Sequence, residues 1–228
     1  MDRVATYVKG LDSALEGGIP AGSIVLVCGQ PGTMKSSLCY TILHGNAKAG
    51  ISSIYASLEQ SAKSLREHMD GLGMSYDGLE MKLGIQDLGM LRKKLKVLSK
   101  EAWYAAFQKT FGTLCKEWGA KIIVIDQLQV FAMMARFKEP REEMFHFMEW
   151  LRDEEMTAFL ISEMKPGADV FAENGVDFLA DGILHLDLRR QGSVVNLYLG
   201  AAKMRKTSHK RTYFPLICEQ GGMEIVTD

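Results

Sequence analysis

The strongest structural signal in this chain is Ser23-Ile-Val-Leu-Val-Cys28 followed by Gly29-Gln-Pro-Gly-Thr-Met-Lys-Ser36. The first six residues form an unbroken apolar run, which is typical of a strand buried on both faces of a parallel sheet. A Gly/Pro loop follows, and a helix is expected from Lys35 to about Ala49. This order of strand, loop and helix predicts a Walker A motif, the phosphate-binding loop of many nucleotide-binding proteins.

The loop offers several groups to a phosphate ligand. Its N–H groups would converge on the phosphate oxygens, and the helix N-terminus adds a positive dipole end. Lys35 would lie over the β- and γ-phosphates, and Ser36 would offer its hydroxyl to Mg²⁺. The alternative is a glycine-rich turn with an accidental Lys-Ser pair. The predicted cofactors are therefore ATP and Mg²⁺, and the predicted binding residues are Gly29, Gln30, Pro31, Gly32, Thr33, Met34, Lys35, Ser36 and Ser37.

One residue departs from the motif, which normally ends in Gly-Lys: here Met34 precedes the lysine. A glycine at this place provides a backbone freedom or close approach that the Cβ of methionine restricts. We expect nucleotide binding to survive in a slightly reshaped loop, and catalytic geometry is the property that Met34 puts at risk.

Two carboxylates follow apolar strands elsewhere in the chain. Asp126 ends Lys121-Ile-Ile-Val-Ile-Asp126, which predicts a Walker B strand whose carboxylate holds Mg²⁺ with Ser36, although strands often end in Asp at a turn. Glu59, in Tyr55-Ala-Ser-Leu-Glu-Gln60, is predicted to orient and deprotonate the attacking water. The alternative for Glu59 is an acid that only initiates the next helix.

The remaining segments predict an α/β fold. Strand and helix signals alternate up to Ala158–Ser162, and the last fifty residues change to strands at 182–188, 194–201 and 213–218 joined by tight turns. This order indicates a mainly parallel twisted sheet with helices on both faces and an antiparallel C-terminal hairpin edge. No repeat or linker interrupts the chain, so residues 1–228 are predicted to form a single domain.

The composition limits the kinds of partner that this chain is expected to bind. A net charge of −1 gives no global attraction to nucleic acid or to a membrane surface, and no apolar run approaches the length of a membrane span. A basic run lies between Leu91, Leu95, Leu98 and Ala102, and we interpret it as a solvated helix face rather than a nucleic-acid patch. The four cysteines lie far apart and are expected to be reduced thiols. The expected location is the cytoplasm.

The motifs together resemble the KaiC-like branch of the RecA/RadA ATPase superfamily. The resemblance spans nearly the whole chain and is most specific in Gly10–Gln60 and Ala201–His209, with Ser57-Leu-Glu-Gln60 similar to the Ser-Leu-Glu-Glu signature of the family. It implies a RecA core and nucleotide sites shared between neighbouring subunits, commonly in hexameric rings. Gln60 and Met164 depart from the family pattern, which often has glutamate and arginine at these places.

The same resemblance assigns a basic cluster near the C-terminus. It places Lys203 and Arg205 as catalytic residues near the γ-phosphate bound by the adjacent subunit, with Thr207 and His209 nearby. The alternative is a solvated loop after a strand. The resemblance therefore implies a homo-oligomer, such as a hexameric ring, acting on an unknown protein partner.

Three functions follow from these observations. The first is a slow ATPase that works in an assembly, which Glu59, Lys203 and Arg205 favour. The second is a nucleotide-gated binding module with little hydrolysis, which Met34 and Gln60 favour. The third is a recombinase-like binder of single-stranded DNA. Because the loop Lys165–Val176 is short and carries Asp169 and Glu173 against Lys165, we expect no nucleic-acid partner.

Overall fold

The computed structural model describes residues 1–89, 100–165, 167–168 and 170–227, and it describes no side chains for residues 100–102. Most of the predicted basic run lies outside these residues, at positions 91–99. Asp169 also lies outside them; it belongs to the loop Lys165–Val176, the mixed-charge loop.

Strands and helices alternate through the first three quarters of the chain, as the sequence predicts. The strands of this part are β1 (Arg3–Val4), β2 (Val8–Lys9), β3 (Ile19–Pro20), β4 (Ile24–Gly29), β5 (Ser53–Ser57), β6 (Leu83–Asp87), β7 (Ile122–Asp126) and β8 (Thr157–Glu163). The helices are α1 (Leu11–Ala14), α2 (Lys35–Lys48), α3 (Ala62–Gly71), α4 (Lys100–Trp118), α5 (Leu128–Ala135) and α6 (Pro140–Asp153).

The last quarter is mainly extended. A short 3₁₀ turn at Glu173–Gly175 leads into α7 (Val176–Leu179), and β9 (Gly182–Gln191), β10 (Val194–Met204), β11 (Phe214–Glu219) and β12 (Gly222–Ile225) follow. β9, β10 and β11 confirm the three predicted C-terminal strands, and β12 is a fourth strand that the sequence analysis did not predict.

One ten-stranded sheet organises the fold, in the order β2-β12-β11-β10-β9-β4-β8-β7-β5-β6. Strands β9, β4, β8, β7, β5 and β6 run parallel, and β10, β11 and β12 continue antiparallel from β9. β1 and β3 form a separate two-stranded sheet. The predicted mainly parallel sheet with an antiparallel edge is therefore confirmed, and β9 itself pairs in parallel with β4 at the centre.

Alternate residues of the central strands face two hydrophobic cores, because side chains along a strand point to opposite faces. Val25, Tyr55 and Val124 pack with α2 and α3 on one face. Ile24, Ile54 and Ile123 pack on the other face with an aromatic cluster from α4, α5 and α6. The aromatic members of that cluster include Trp103, Phe107, Phe111, Phe131 and Phe147. Because the central strands are parallel, their carboxyl ends lie together at one edge of the sheet, between the two layers of helices.

Candidate nucleotide site

The phosphate-binding loop lies between β4 and α2, where the sequence predicts it. β4 ends at Gly29 and α2 begins at Lys35. A Cβ atom on Gly29 would lie 2.4 Å from the carbonyl oxygen of Leu186, so only glycine fits beside β9 here. Gly32 has a φ of +82°, and the Thr33 hydroxyl donates to the carbonyl of Gln30 at 2.8 Å. The loop is thus shaped by its glycines and by its own hydrogen bonds.

Met34 occupies the left-handed region, with φ +62° and ψ +28°. This conformation is the one that glycine adopts freely and that costs other residues about 1–2 kcal/mol. Its half-buried side chain packs against the hydrophobic core beneath α2, and this contact offsets part of the strain. The loop therefore keeps its path with methionine in the glycine position.

Lys35 is buried at the base of the loop and its ammonium group folds back on it. Nζ donates to the carbonyl oxygens of Gly29 at 3.0 Å and Gln30 at 2.9 Å. Burial lowers the pKa of Lys35, and the nearby carboxylates of Glu163 and Asp126 oppose that shift. The ammonium group thus lies inside the loop that would surround a phosphate.

Asp126 lies beside the start of α2, because β7 and the phosphate-binding loop meet at the carboxyl edge of the sheet. Its Oδ2 accepts hydrogen bonds from the Ser36 hydroxyl at 2.9 Å and from the Tyr55 hydroxyl at 2.5 Å. Burial raises the pKa of Asp126, while the hydrogen bonds from Tyr55 and Ser36 and the charge of Lys35 hold it down. The two predicted metal-site residues are therefore in direct contact.

Glu59 completes the opposite wall of a cleft of about 350 Å³, whose floor is the loop. The cleft is lined by Pro31, Gly32, Met34, Lys35, Ser36, Ser37, Glu59, Gln60, His68, Asp126, Gln127, Ile161 and Glu163. Its size falls in the range of about 300–1,000 Å³ that is usual for ligand sites. Partial burial raises the pKa of Glu59, the carboxylates of Asp126 and Glu163 add to the rise, and Lys35 opposes it.

Glu163, which lines the cleft, and Gln129, which lies beside it, were not assigned a role in the sequence analysis. Glu163 ends β8, a buried apolar strand, and so carries the same signal that identified Asp126. Gln129, in α5, donates to the Ser162 hydroxyl and to the Glu163 carbonyl, both at 2.9 Å, and fixes the end of β8. A third residue, Tyr55, has no sequence signal, because its contact with Asp126 depends on the register of β5 beside β7.

Lys203 and Arg205 lie away from the cleft of their own chain. Lys203 Nζ donates to the carbonyls of Asp177 at 3.1 Å and Phe178 at 3.0 Å, and Arg205 pairs with Asp181 at 2.9 Å. Asp181 in turn accepts a hydrogen bond from the backbone N–H of Ile24, the first residue of β4. The loop follows the last residue of β4, so the length of this strand, about 16 Å, separates the two sites.

Thr207 and His209 lie beside the N-terminal segment rather than in the cleft. Arg3 Nη1 donates to the Thr207 hydroxyl at 3.1 Å, and Nη2 donates to the Lys206 carbonyl at 3.4 Å. The backbone N–H of Ser208 donates to Glu16 at 3.0 Å. His209 Nδ1 lies 3.4 Å from the Thr207 carbonyl. The structure therefore gathers the predicted loop, metal-site residues and Glu59 at one edge, and the basic cluster elsewhere.

Other described features bear on the partner predictions. Across the residues that the structure covers, no helix is both long and apolar enough to cross a membrane. All four cysteines are unpaired, and Cys28, Cys39 and Cys115 are buried. Lys165 forms an ion pair with Glu173 at 2.6 Å, which offsets the positive charge at the start of the mixed-charge loop.

A mainly parallel sheet with a phosphate-binding loop after β4, and an aspartate at the end of β7, which is separated from β4 only by β8, defines a nucleotide-binding domain of the RecA type. The family model described as the KaiC ATPase matches residues 4–228. The chain therefore belongs to the KaiC ATPase family, in its KaiC-like P-loop branch.

Relatives with similar length are found in archaea. The UPF0273 protein of Methanocaldococcus jannaschii is 30% identical, with 100% of this chain and 98% of that protein covered. The crystal structure of a KaiC-like protein from Pyrococcus horikoshii matches with a TM-score of 0.85 at 26% identity, covering 99% of both chains. The circadian clock protein KaiC2 of Synechocystis is 24% identical over 97% of this chain, which spans only 39% of that longer protein.

Proposed function

We propose that this protein binds ATP with Mg²⁺ in the cleft above the phosphate-binding loop and hydrolyses it slowly. The observation that carries this proposal is the convergence of Lys35, Ser36, Asp126 and Glu59 around one cleft. Residues 1–228 would act as a single domain, located in the cytoplasm.

The residues present fit the proposed ligands. A serine hydroxyl and a carboxylate are hard oxygen donors, which Mg²⁺ prefers, and 14-residue α2 directs its positive end at the loop. Ser36 and Asp126 would hold the ion, Asp126 through water, and Lys35 would neutralise charge on the β- and γ-phosphates. When bound, Mg²⁺ would supply positive charge that offsets the negative charge developing on the phosphate oxygens.

Glu59 is the proposed general base. Its carboxylate would accept a proton from water as the water oxygen attacks the γ-phosphorus and the bond to the leaving oxygen of ADP breaks. Partial burial supports this role, and the carboxylates of Asp126 and Glu163 add to it, because all three raise the pKa of Glu59 and so make it a stronger base.

We propose that Lys203 and Arg205 act on the nucleotide held by a neighbouring subunit, with Thr207 and His209 alongside them. What supports this is their position at the far end of β4 from the loop of their own chain. A cation supplied to the γ-phosphate can contribute about 10³–10⁵-fold to hydrolysis. A protomer alone would bind ATP and turn it over slowly, and a homo-oligomer such as a hexameric ring would complete each site.

A mixing experiment tests this arrangement. Glu59→Gln inactivates the site of its own subunit, and Arg205→Ala inactivates the site of its neighbour. If Arg205 acts in trans, random mixing should place both intact groups at about a quarter of the interfaces and restore phosphate release that neither variant shows alone. The control mixes Arg205→Ala with the double variant Glu59→Gln/Arg205→Ala, which contains no intact Arg205 and should stay inactive.

No recovery in the first mixture, with subunit exchange demonstrated and the parent protein active, would show that Arg205 acts in cis or has no catalytic role. A parent protein that binds ATP without steady-state phosphate release would favour the second candidate, a nucleotide-gated binding module. The left-handed backbone at Met34 and the glutamine at position 60 beside the base favour that candidate.

A further inference from the structure

Two tyrosines are fully buried beneath the cleft, and only one of them reaches the site. Tyr55, on β5, donates its hydroxyl to Asp126 Oδ2 at 2.5 Å. Tyr40, on α2, has its ring centroid 6.2 Å from that of Tyr55, but its hydroxyl finds no hydrogen-bond partner among the residues that the structure describes. The pair therefore contains one tyrosine with a polar role at the site and one without.

The Tyr55 and Ser36 hydrogen bonds to the Asp126 side chain both reach the same carboxylate oxygen. Oδ2 accepts from both Tyr55 and Ser36, and no donor among the described residues reaches Oδ1. Because Ser36 Oγ directs its proton at Asp126 Oδ2, the lone pairs of the serine oxygen remain available to another partner. These hydrogen bonds thus leave two oxygens, Asp126 Oδ1 and Ser36 Oγ, with unused acceptor capacity.

The ring of Tyr55 is held by the core rather than by the cleft. Tyr55 sits opposite Val124 in the β5–β7 register, and its side chain packs in the hydrophobic core with Tyr40 and Val124. A packed aromatic side chain has little freedom to move, so its hydroxyl is a fixed donor. Ser36, in contrast, is half-buried at the start of a helix, and its hydroxyl can rotate about one bond.

We propose that Tyr55 is a positioning residue for the divalent cation: its hydroxyl fixes the Asp126 carboxylate so that Asp126 Oδ1 and Ser36 Oγ face the cation together. Tyr55 touches neither nucleotide nor cation and acts only through Asp126. This inference rests on the proposed function, because it concerns the cation that would accompany ATP. Groups that orient metal ligands in this way typically change metal affinity by about 10–100-fold when they are removed.

The test compares Tyr55→Phe with Tyr40→Phe. Each variant loses one buried hydroxyl from neighbouring tyrosines, and only Tyr55→Phe loses a hydrogen bond to Asp126. A fluorescent ATP analogue, N-methylanthraniloyl-ATP, is titrated with Mg²⁺, and Mn²⁺ binding in its presence is followed by electron paramagnetic resonance. We expect Tyr55→Phe to raise the half-saturating Mg²⁺ and Mn²⁺ concentrations by about 10–100-fold. Tyr40→Phe should match the parent protein, and binding of the analogue without metal should be unchanged in both variants.

Equal half-saturating concentrations for Tyr55→Phe, Tyr40→Phe and the parent protein would overturn the proposal. So would an equal loss of binding with and without metal, since that outcome would mean a general distortion of the cleft. Tyr55→Met, which also lacks a donor, repeats the comparison if the phenylalanine variant does not fold. A parent protein that binds no nucleotide at any Mg²⁺ concentration would instead overturn the proposed function itself, and the two failures are therefore distinguishable.

Discussion

The proposed activity requires Glu59 to be charged, and that same charge is expected to lower the stability of the fold. Its charged form is disfavoured by partial burial and by the carboxylates of Asp126 and Glu163, and its pKa is raised. Replacement by neutral glutamine removes that unfavourable charge and keeps the shape of the side chain. We expect Glu59→Gln to increase the free energy of unfolding of the nucleotide-free protein at pH 7 by about 0.5 kcal/mol, a small gain because solvent screens this side chain.

The pH dependence follows from the sign of the shift. Above the raised pKa, the parent protein carries the charge that the fold disfavours, so the variant is more stable. Below the ordinary glutamate pKa of about 4.3, both residues are neutral and the difference disappears. Urea denaturation at pH 7 and pH 4 measures both values. A variant less stable than the parent at pH 7 would show that Glu59 is held by favourable contacts rather than by repulsion.

Met34 shows what the sequence can and cannot predict about a single residue. The motif alone identified the position as one where a Cβ restricts the backbone, and the structure confirms a left-handed conformation there. The packing of the side chain against the core, which makes that conformation tolerable, depends on residues distant in sequence. The sequence could therefore predict a strained backbone at Met34, but it could not predict the packing that compensates for the strain.

At the scale of elements, the N-terminal segment holds the loop that follows β10. The guanidinium group of Arg3 donates to the carbonyls of Leu15 at 3.0 Å and Gly18 at 2.7 Å as well as to Lys206 and Thr207. The Arg3 side chain is only 17% exposed and both Leu15 and Gly18 are buried, so these two carbonyls would lose their partner away from bulk water. The contacts join residues about two hundred positions apart, which no local pattern in the sequence reveals.

We expect Arg3→Ala to lower the free energy of unfolding by about 1–3 kcal/mol, because buried acceptors are left unsatisfied. It should also speed hydrogen exchange at the Ser208 amide. The matched control is Lys9→Ala in the same segment, since the Lys9–Glu224 pair is exposed and should contribute less than about 1 kcal/mol. Equal effects of the two variants, measured by urea denaturation and hydrogen exchange, would rule out a specific role for Arg3.

The elements that the sequence failed to predict have physical reasons. β2 consists of two residues, too few for any periodicity, and it is a strand only because β12 lies beside it. α5 follows directly on β7, and its apolar residues gave no boundary between strand and helix. α6 ends at Asp153, and the apolar Met156 just beyond it is buried in the hydrophobic core without being helical. Long buried strands and amphipathic helices were predictable, whereas short pairings depended on the assembled sheet.

At the scale of the whole molecule, the order of the strands separates two groups of charged residues. The carboxyl edge of the parallel strands gathers Lys35, Asp126 and Glu59, while the opposite edge holds Arg205 against Asp181. The sequence could predict the first group, because the ends of parallel strands meet at one edge of a sheet. It located the second only through a family resemblance, since the distance between the groups is set by the path of β4, β9 and β10.

The central claim is that ATP binds above the phosphate-binding loop, and the most direct test is thermal unfolding with and without Mg·ATP. At about 100 times the dissociation constant, ATP should stabilise the parent protein by roughly 2.7 kcal/mol and raise its melting temperature. Lys35→Ala should abolish that rise, whereas Lys48→Ala, at the exposed far end of the same helix, should keep it. An undiminished rise in the folded Lys35→Ala variant would contradict the account, because the nucleotide would then bind elsewhere.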